Sequence, residues 1–121
     1  MNKGTAMGTA RDPQDHFVPI ADRADLDRVF VESGEEPVVL FKHDFACPIS
    51  ANAYRELAAV PGEVSLIDVE RQKGLADEVV SRTGIEHQSP QVIVVRNGQP
   101  VYAASHWDIS GEEVTRAAGA A

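Results

Sequence analysis

The chain has a single cysteine among its 121 residues, so no internal disulfide can staple it. A chain of this length does not need one, because one ordinary domain can enclose its own core. Positive charge is also scarce. Eleven Lys and Arg stand against 19 Asp and Glu, and the formal charge of −8 is not interrupted by any basic run. Such a surface opposes a phosphate backbone, so nucleic acid is not an expected partner. Long apolar runs are missing too: PVVLF and QVIVV are far too short to cross a bilayer. Met1 to Pro13 has no hydrophobic centre of the kind a secretory signal needs. The expectation is a cytoplasmic protein with no membrane partner, whose lone thiol stays reduced unless chemistry is intended. With 43% apolar and 25% charged residues, the composition fits a soluble globular chain rather than a disordered one.

Residues 1–15 are rich in Gly, Thr and Ala and offer little to bury, so they read as a mobile leader before one domain over residues 16–121. FVPI is a short extended piece. In ADRADLDRVFVES, Leu26, Val29 and Phe30 fall at helical spacing, Asp22 or Asp25 can cap the start, and Gly34 follows the end. Val38 to His43 is a β-branched and aromatic run with little alternation, as in a central strand covered on both faces. Ile49, Ala53 and Leu57 then recur every fourth residue until Pro61-Gly62 stops the helix. VSLIDVE is a further strand, and KGLADEVVSRTG a helix ending at Gly84. PQVIVV and QPVYAA flank Asn97-Gly98, the dipeptide that favours a two-residue hairpin turn, so these two strands are antiparallel. Ser110 and Glu113 have capping-box spacing for a closing helix. The order β-α-β-α-β-α-β-β-α predicts an α/β fold, a three-layer α/β/α sandwich around a central mixed sheet of four to five strands.

Cys47 lies between a strand and a helix, and Pro48 suits the first helical position because its missing N–H has no partner there anyway. This spacing makes Cys47 the N-cap, with its sulfur toward the amides of Ile49 and Ser50. Helix N-termini favour the thiolate, so Cys47 is a candidate nucleophile; the alternative is a buried, idle cysteine. Ser50 stands where a C-x-x-C oxidoreductase has its resolving cysteine. A hydroxyl can donate a hydrogen bond to a thiolate but cannot expel a mixed disulfide, so an outside thiol would have to do so. Pro90 leads directly into a strand, and residue type alone predicts a trans Ser89–Pro90 bond.

These residues resemble a known family. Cys-Pro-x-Ser at the first strand-to-helix turn and Ser89-Pro90 before the Asn-Gly hairpin look like a thioredoxin fold over Phe17 to Ala118. More narrowly, LFKHDFACPISANAYREL, HQSPQVIVVRNGQPVY and SHWDIS resemble the monothiol bacilliredoxin family of the YtxJ type, within the thioredoxin-like superfamily. The resemblance implies a cis Ser89–Pro90 peptide beside the thiol, with the Ser89 backbone free to pair with a thiol substrate. It also implies the activity, removal of bacillithiol from S-bacillithiolated client proteins through a Cys47 mixed disulfide. Bacillithiol, a small thiol built from cysteine, glucosamine and malate, would be the co-substrate, with no tightly bound cofactor. One departure is that Asp44-Phe45-Ala46 precede the cysteine where the family commonly has Ser and Thr. Asp44 near the sulfur would oppose thiolate formation, whereas Phe45 could be a recognition surface.

Lys42, His43 and His106 are candidates to meet the malate carboxylates, since an acidic protein needs a local donor-rich patch for an anionic ligand. His87 is read, like the other two histidines, as polar lining; no spacing among them and Cys47 marks a metal site. Trp107, the sole tryptophan, and Tyr54 are core packing or border the groove. Two other functional classes remain at this point: an iron–sulfur carrier of the monothiol glutaredoxin kind, and a non-catalytic thioredoxin-like binding module.

Overall fold

A computed structural model of the chain describes residues 16–120; the expected leader over residues 1–15 lies outside them. Strand β1 (Phe17–Pro19) leads to helix α1 (Arg23–Glu32). Of the two candidate caps, Asp22 is the one used, accepting from the Asp25 N–H at 2.9 Å, while the Asp25 carboxylate accepts from the Ala21 N–H. Strand β2 (Val38–His43), helix α2 (Pro48–Leu57), strand β3 (Val64–Asp68) and helix α3 (Lys73–Thr83) follow. Gly84, at φ 74°, takes the left-handed conformation that ends α3 and that any side chain would resist.

Strands β4 (Gln91–Arg96) and β5 (Gln99–Ser105) form the hairpin. Asn97 and Gly98 both have positive φ, 53° and 75°, as the expected turn requires. A 3-10 turn (His106–Asp108) and helix α4 (Gly111–Thr115) complete the unit, with Ser110 accepting from the Glu113 N–H. At Gly111, α4 meets the end of α2 so closely that a Cβ would collide with the Glu56 carbonyl oxygen.

The sheet order is β1-β3-β2-β4-β5. β1, β3 and β2 are parallel; β4 runs antiparallel to β2, and β5 to β4. Alternation along β2 divides the core between two faces. Val39 and Phe41 join Ala53, Leu57, Val64, Val92, Ile109 and Val114 beneath α2 and α4. Leu40 joins Leu26, Val29, Ile67, Leu75, Val79 and Ile93 beneath α1 and α3. The expected three-layer α/β/α sandwich is therefore present, with five strands in a thioredoxin fold.

Candidate functional site

The C-terminal end of β2 carries the turn that presents the thiol. Asp44 Oδ1 accepts from the Ala46 N–H at 2.9 Å and the Cys47 N–H donates to the Asp44 carbonyl at 3.1 Å, which closes the turn immediately before α2. Cys47 is the N-cap residue and Pro48 opens the helix, as expected. The cysteine is partly exposed. Its sulfur does not, however, accept a capping hydrogen bond, so the expected contact with the amides of Ile49 and Ser50 is not made. The turn before the helix is held instead by Asp44, whose carboxylate accepts from the Ala46 amide.

Ser50 also departs from expectation. It is fully buried, and its hydroxyl points back to the strand rather than to Cys47. Oγ accepts from the Asp44 N–H at 2.9 Å and lies 2.6 Å from His43 Nδ1. Burial lowers the His43 pKa, with the Asp44 and Asp68 carboxylates opposing that shift, so the ring is neutral at pH 7. With the ring proton on Nε2, the hydroxyl donates to Nδ1 while accepting from Asp44, and the contacts among the three residues are satisfied together.

The two residues expected to meet carboxylates from the end of β2 are interior. His43 is 4% exposed and is packed among aromatic rings, stacked on Phe41 at 5.0 Å and edge-on to Phe45 at 4.2 Å. Lys42 is 1% exposed on the opposite face of the sheet, its Nζ 3.2 Å from His87 Nδ1. Both positions are corrected: a strand covered on both faces buries successive residues, whatever their charge. Of the three, only His106 reaches the surface.

Ser89 and Pro90 lie at the same end of the sheet, because Gln91 is paired with Lys42 across β2 and β4. The Ser89–Pro90 peptide is cis, as the resemblance implies and against the reading from residue type alone. Among the described residues, no hydrogen bond is made by either backbone group of Ser89, and its buried Oγ has no partner. The carbonyl of Pro90 accepts from the His106 N–H at 3.0 Å. His106 holds a left-handed φ of 56°, uncommon for a residue with a side chain, and the turn it opens packs against α2. Trp107 is thereby left 66% exposed, and Phe45, two residues before Cys47, is 63% exposed. Trp107 is thus not a core residue, whereas Tyr54 is half-buried and stacked on Phe17 at 4.1 Å. Gln91, a position that residue type alone does not mark as functional, is a buried amide whose Nε2 donates to the Glu86 carbonyl at 3.1 Å. Its one cue was a polar side chain opening an otherwise apolar strand.

A family model described as monothiol bacilliredoxin BrxC matches residues 18–114, which takes in nearly the whole sequence of elements from β1 to α4. The chain belongs to the monothiol bacilliredoxin family. Among solved structures, one described as an oxidoreductase with a thioredoxin fold is 26% identical, with a TM-score of 0.79 over 87% of this chain and 96% of that one. Thioredoxins from Trypanosoma brucei brucei (TM-score 0.68, 12% identity) and Halobacterium salinarum (a mutant form, 0.64, 18%) each cover 92% of this chain and are covered over 93% of their own. At those identities they share the fold alone. Together the family and the first of these neighbours make the bacilliredoxin a thiol oxidoreductase. No helix among the described residues is long and apolar enough to cross a membrane, and no group of three or more His, Cys, Asp or Glu there could hold a metal ion.

Proposed function

We propose that this bacilliredoxin removes bacillithiol from S-bacillithiolated protein cysteines, with Cys47 as nucleophile. The observation that carries the reading is a partly exposed lone thiol at the head of α2, at the same end of the sheet as the unpaired backbone of Ser89. The Cys47 thiolate attacks the bacillithiol sulfur of the mixed disulfide. The S–S bond breaks, the client cysteine leaves as a thiolate and takes a proton from solvent, and Cys47 is left joined to bacillithiol. Because the Ser50 hydroxyl is turned away and cannot form a disulfide, a second thiol from outside must release the adduct.

The free N–H and C=O of Ser89 suit main-chain pairing with the cysteinyl part of the ligand. Phe45 and Trp107 supply apolar rims for the client, and His106 is the donor left to meet a malate carboxylate. The test uses a client protein carrying bacillithiol on one cysteine, mixed with the wild-type chain and with Cys47→Ser. Loss of the adduct mass from the client with the wild type, and its persistence with the variant, is expected. Persistence with both would overturn the reading.

A further inference from the structure

Residues 85–89 connect α3 to Pro90 without regular structure, and among the described residues no backbone–backbone hydrogen bond begins or ends on them. A segment held so sparsely by its backbone depends on side chains for its position. Ile85 is held by its N–H, which donates to Thr83 Oγ1 at 3.2 Å; beyond it, two buried side chains that face each other across β2 and β4 reach the segment. Lys42 Nζ is bonded to His87 Nδ1 at 3.2 Å, and Gln91 Nε2 donates to the Glu86 carbonyl at 3.1 Å.

Lys42 is the unexpected member. It stands on the central strand β2, two residues after Leu40 and paired across to Ile67 of β3, where an apolar residue of similar length would avoid desolvating an ammonium group. Among the described residues no carboxylate is bonded to it; Asp77 on α3 favours its charge from a distance while being paired with Lys73. Burial brings its pKa down to about 8. Burial also lowers the pKa of His87, and the neighbouring Lys42 charge adds to that effect, so the ring is neutral at pH 7 and Nδ1 can accept. Gln91 repeats the pattern, because keeping an amide there for its one bond leaves Oε1 buried without a partner. Local departures of this kind from apolar patterning concentrate where function requires them.

We propose that Lys42 is a positioning residue of the thiol site: through His87, and beside Gln91, it fixes the segment from Glu86 to Ser89, at whose end the free backbone of Ser89 meets the substrate. The inference rests on the exchange reaction proposed above and adds to it a residue that touches no reactant. Lys42 acts by holding the Ser89 backbone in place before a ligand arrives, and displacements of about an ångström in such a group are enough to cost about a hundredfold in rate.

The experiment compares the wild type with Lys42→Met, His87→Ala and the double variant by three readouts. The 15N NMR order parameters of the backbone of residues 86–89, which report fast local motion whether or not an amide is hydrogen-bonded, should fall in all three variants. The rate at which Cys47 takes up bacillithiol from bacillithiol disulfide should fall about 10- to 100-fold in each single variant and no further in the double. Alkylation of Cys47 by iodoacetamide, which needs no backbone partner, should stay at the wild-type rate. Unchanged order parameters at 86–89 overturn the inference whatever the enzyme does. Lower order parameters with an undiminished bacillithiol reaction also overturn it, because the tether would then not serve the thiol. If the wild type itself does not react with bacillithiol disulfide while the amides loosen as expected, the tether stands and the proposed function falls.

Discussion

His43 Nδ1 lies 2.6 Å from the Ser50 hydroxyl, at the position where a two-cysteine relative carries its second thiol. This contact gives the monothiol character a physical form. The site lacks a resolving sulfur, and the hydroxyl in its place is occupied by the interior rather than facing Cys47.

Ser50→Cys should convert the chain to a dithiol, because the new sulfur would sit three residues after Cys47 in the first turn of α2, close enough to attack a mixed disulfide there. Offered bacillithiol disulfide, the variant is expected to shed the small thiol and end two hydrogens lighter, with no stable adduct. Intact mass measurement decides this; an adduct as long-lived as in the wild type would contradict it.

The His43–Ser50 contact also predicts how stability responds to acid. The folded His43 pKa lies below its unfolded value of 6.5, so the unfolded chain binds more protons once the pH falls through that value. Stability from this group is complete above 6.5 and is lost progressively as the pH drops toward the lowered folded pKa. His87 adds a second loss with the same sign. Urea unfolding of His43→Phe across roughly pH 5 to 7.5, the histidine titration range, should show a shallower acid loss than the wild type. Equal slopes would exclude His43 as a buried neutral ring.

Lys42 gives the opposite window. Its folded pKa of about 8 against an unfolded 10.5 means that burying the ammonium group destabilises the fold at every pH below 8, and that this cost fades as the pH rises to 10.5. Lys42→Met should therefore be more stable than the wild type at pH 7 by up to about 3 kcal/mol, from about 1.4 kcal/mol per pKa unit. The gain should shrink steadily between pH 8 and 10.5. A variant that is less stable at pH 7 would show that the Lys42–His87 bond stabilises the fold outright.

Trp107→Ala should leave stability within about 0.5 kcal/mol of the wild type, because an exposed side chain has little packing to lose. If the indole borders the client, release of bacillithiol from a protein client should slow while reaction with bacillithiol disulfide changes less. Stopped-flow rates for the two substrates separate these effects. Equal slowing of both would move Trp107 from the client rim to the small-thiol site.

The elements were legible because their cues are local. The β-branched stretch of β2, the Asn97-Gly98 turn and the Pro48 opening of α2 each reflect backbone preferences that no tertiary contact needs to supply. The chemistry at the end of β2 was less legible for an instructive reason. A strand without alternation implies burial of both its faces, and that applies to Lys42 and His43 as much as to Leu40 and Phe41. Their polar type suggested the surface, and the pattern of the strand outweighed it. The inward turn of Ser50 and the partnership of Lys42 with His87 depend on tertiary packing, and no spacing encodes them.

Exchange of Cys47 with bacillithiol underlies every role assigned above. Bacillithiol disulfide and glutathione disulfide, offered separately to the wild type and to Cys47→Ser, test it by intact mass. The expected result is an adduct of one bacillithiol on the wild type, little or none from glutathione, and none on the variant. No adduct from either disulfide, or the same adduct on Cys47→Ser, would contradict it.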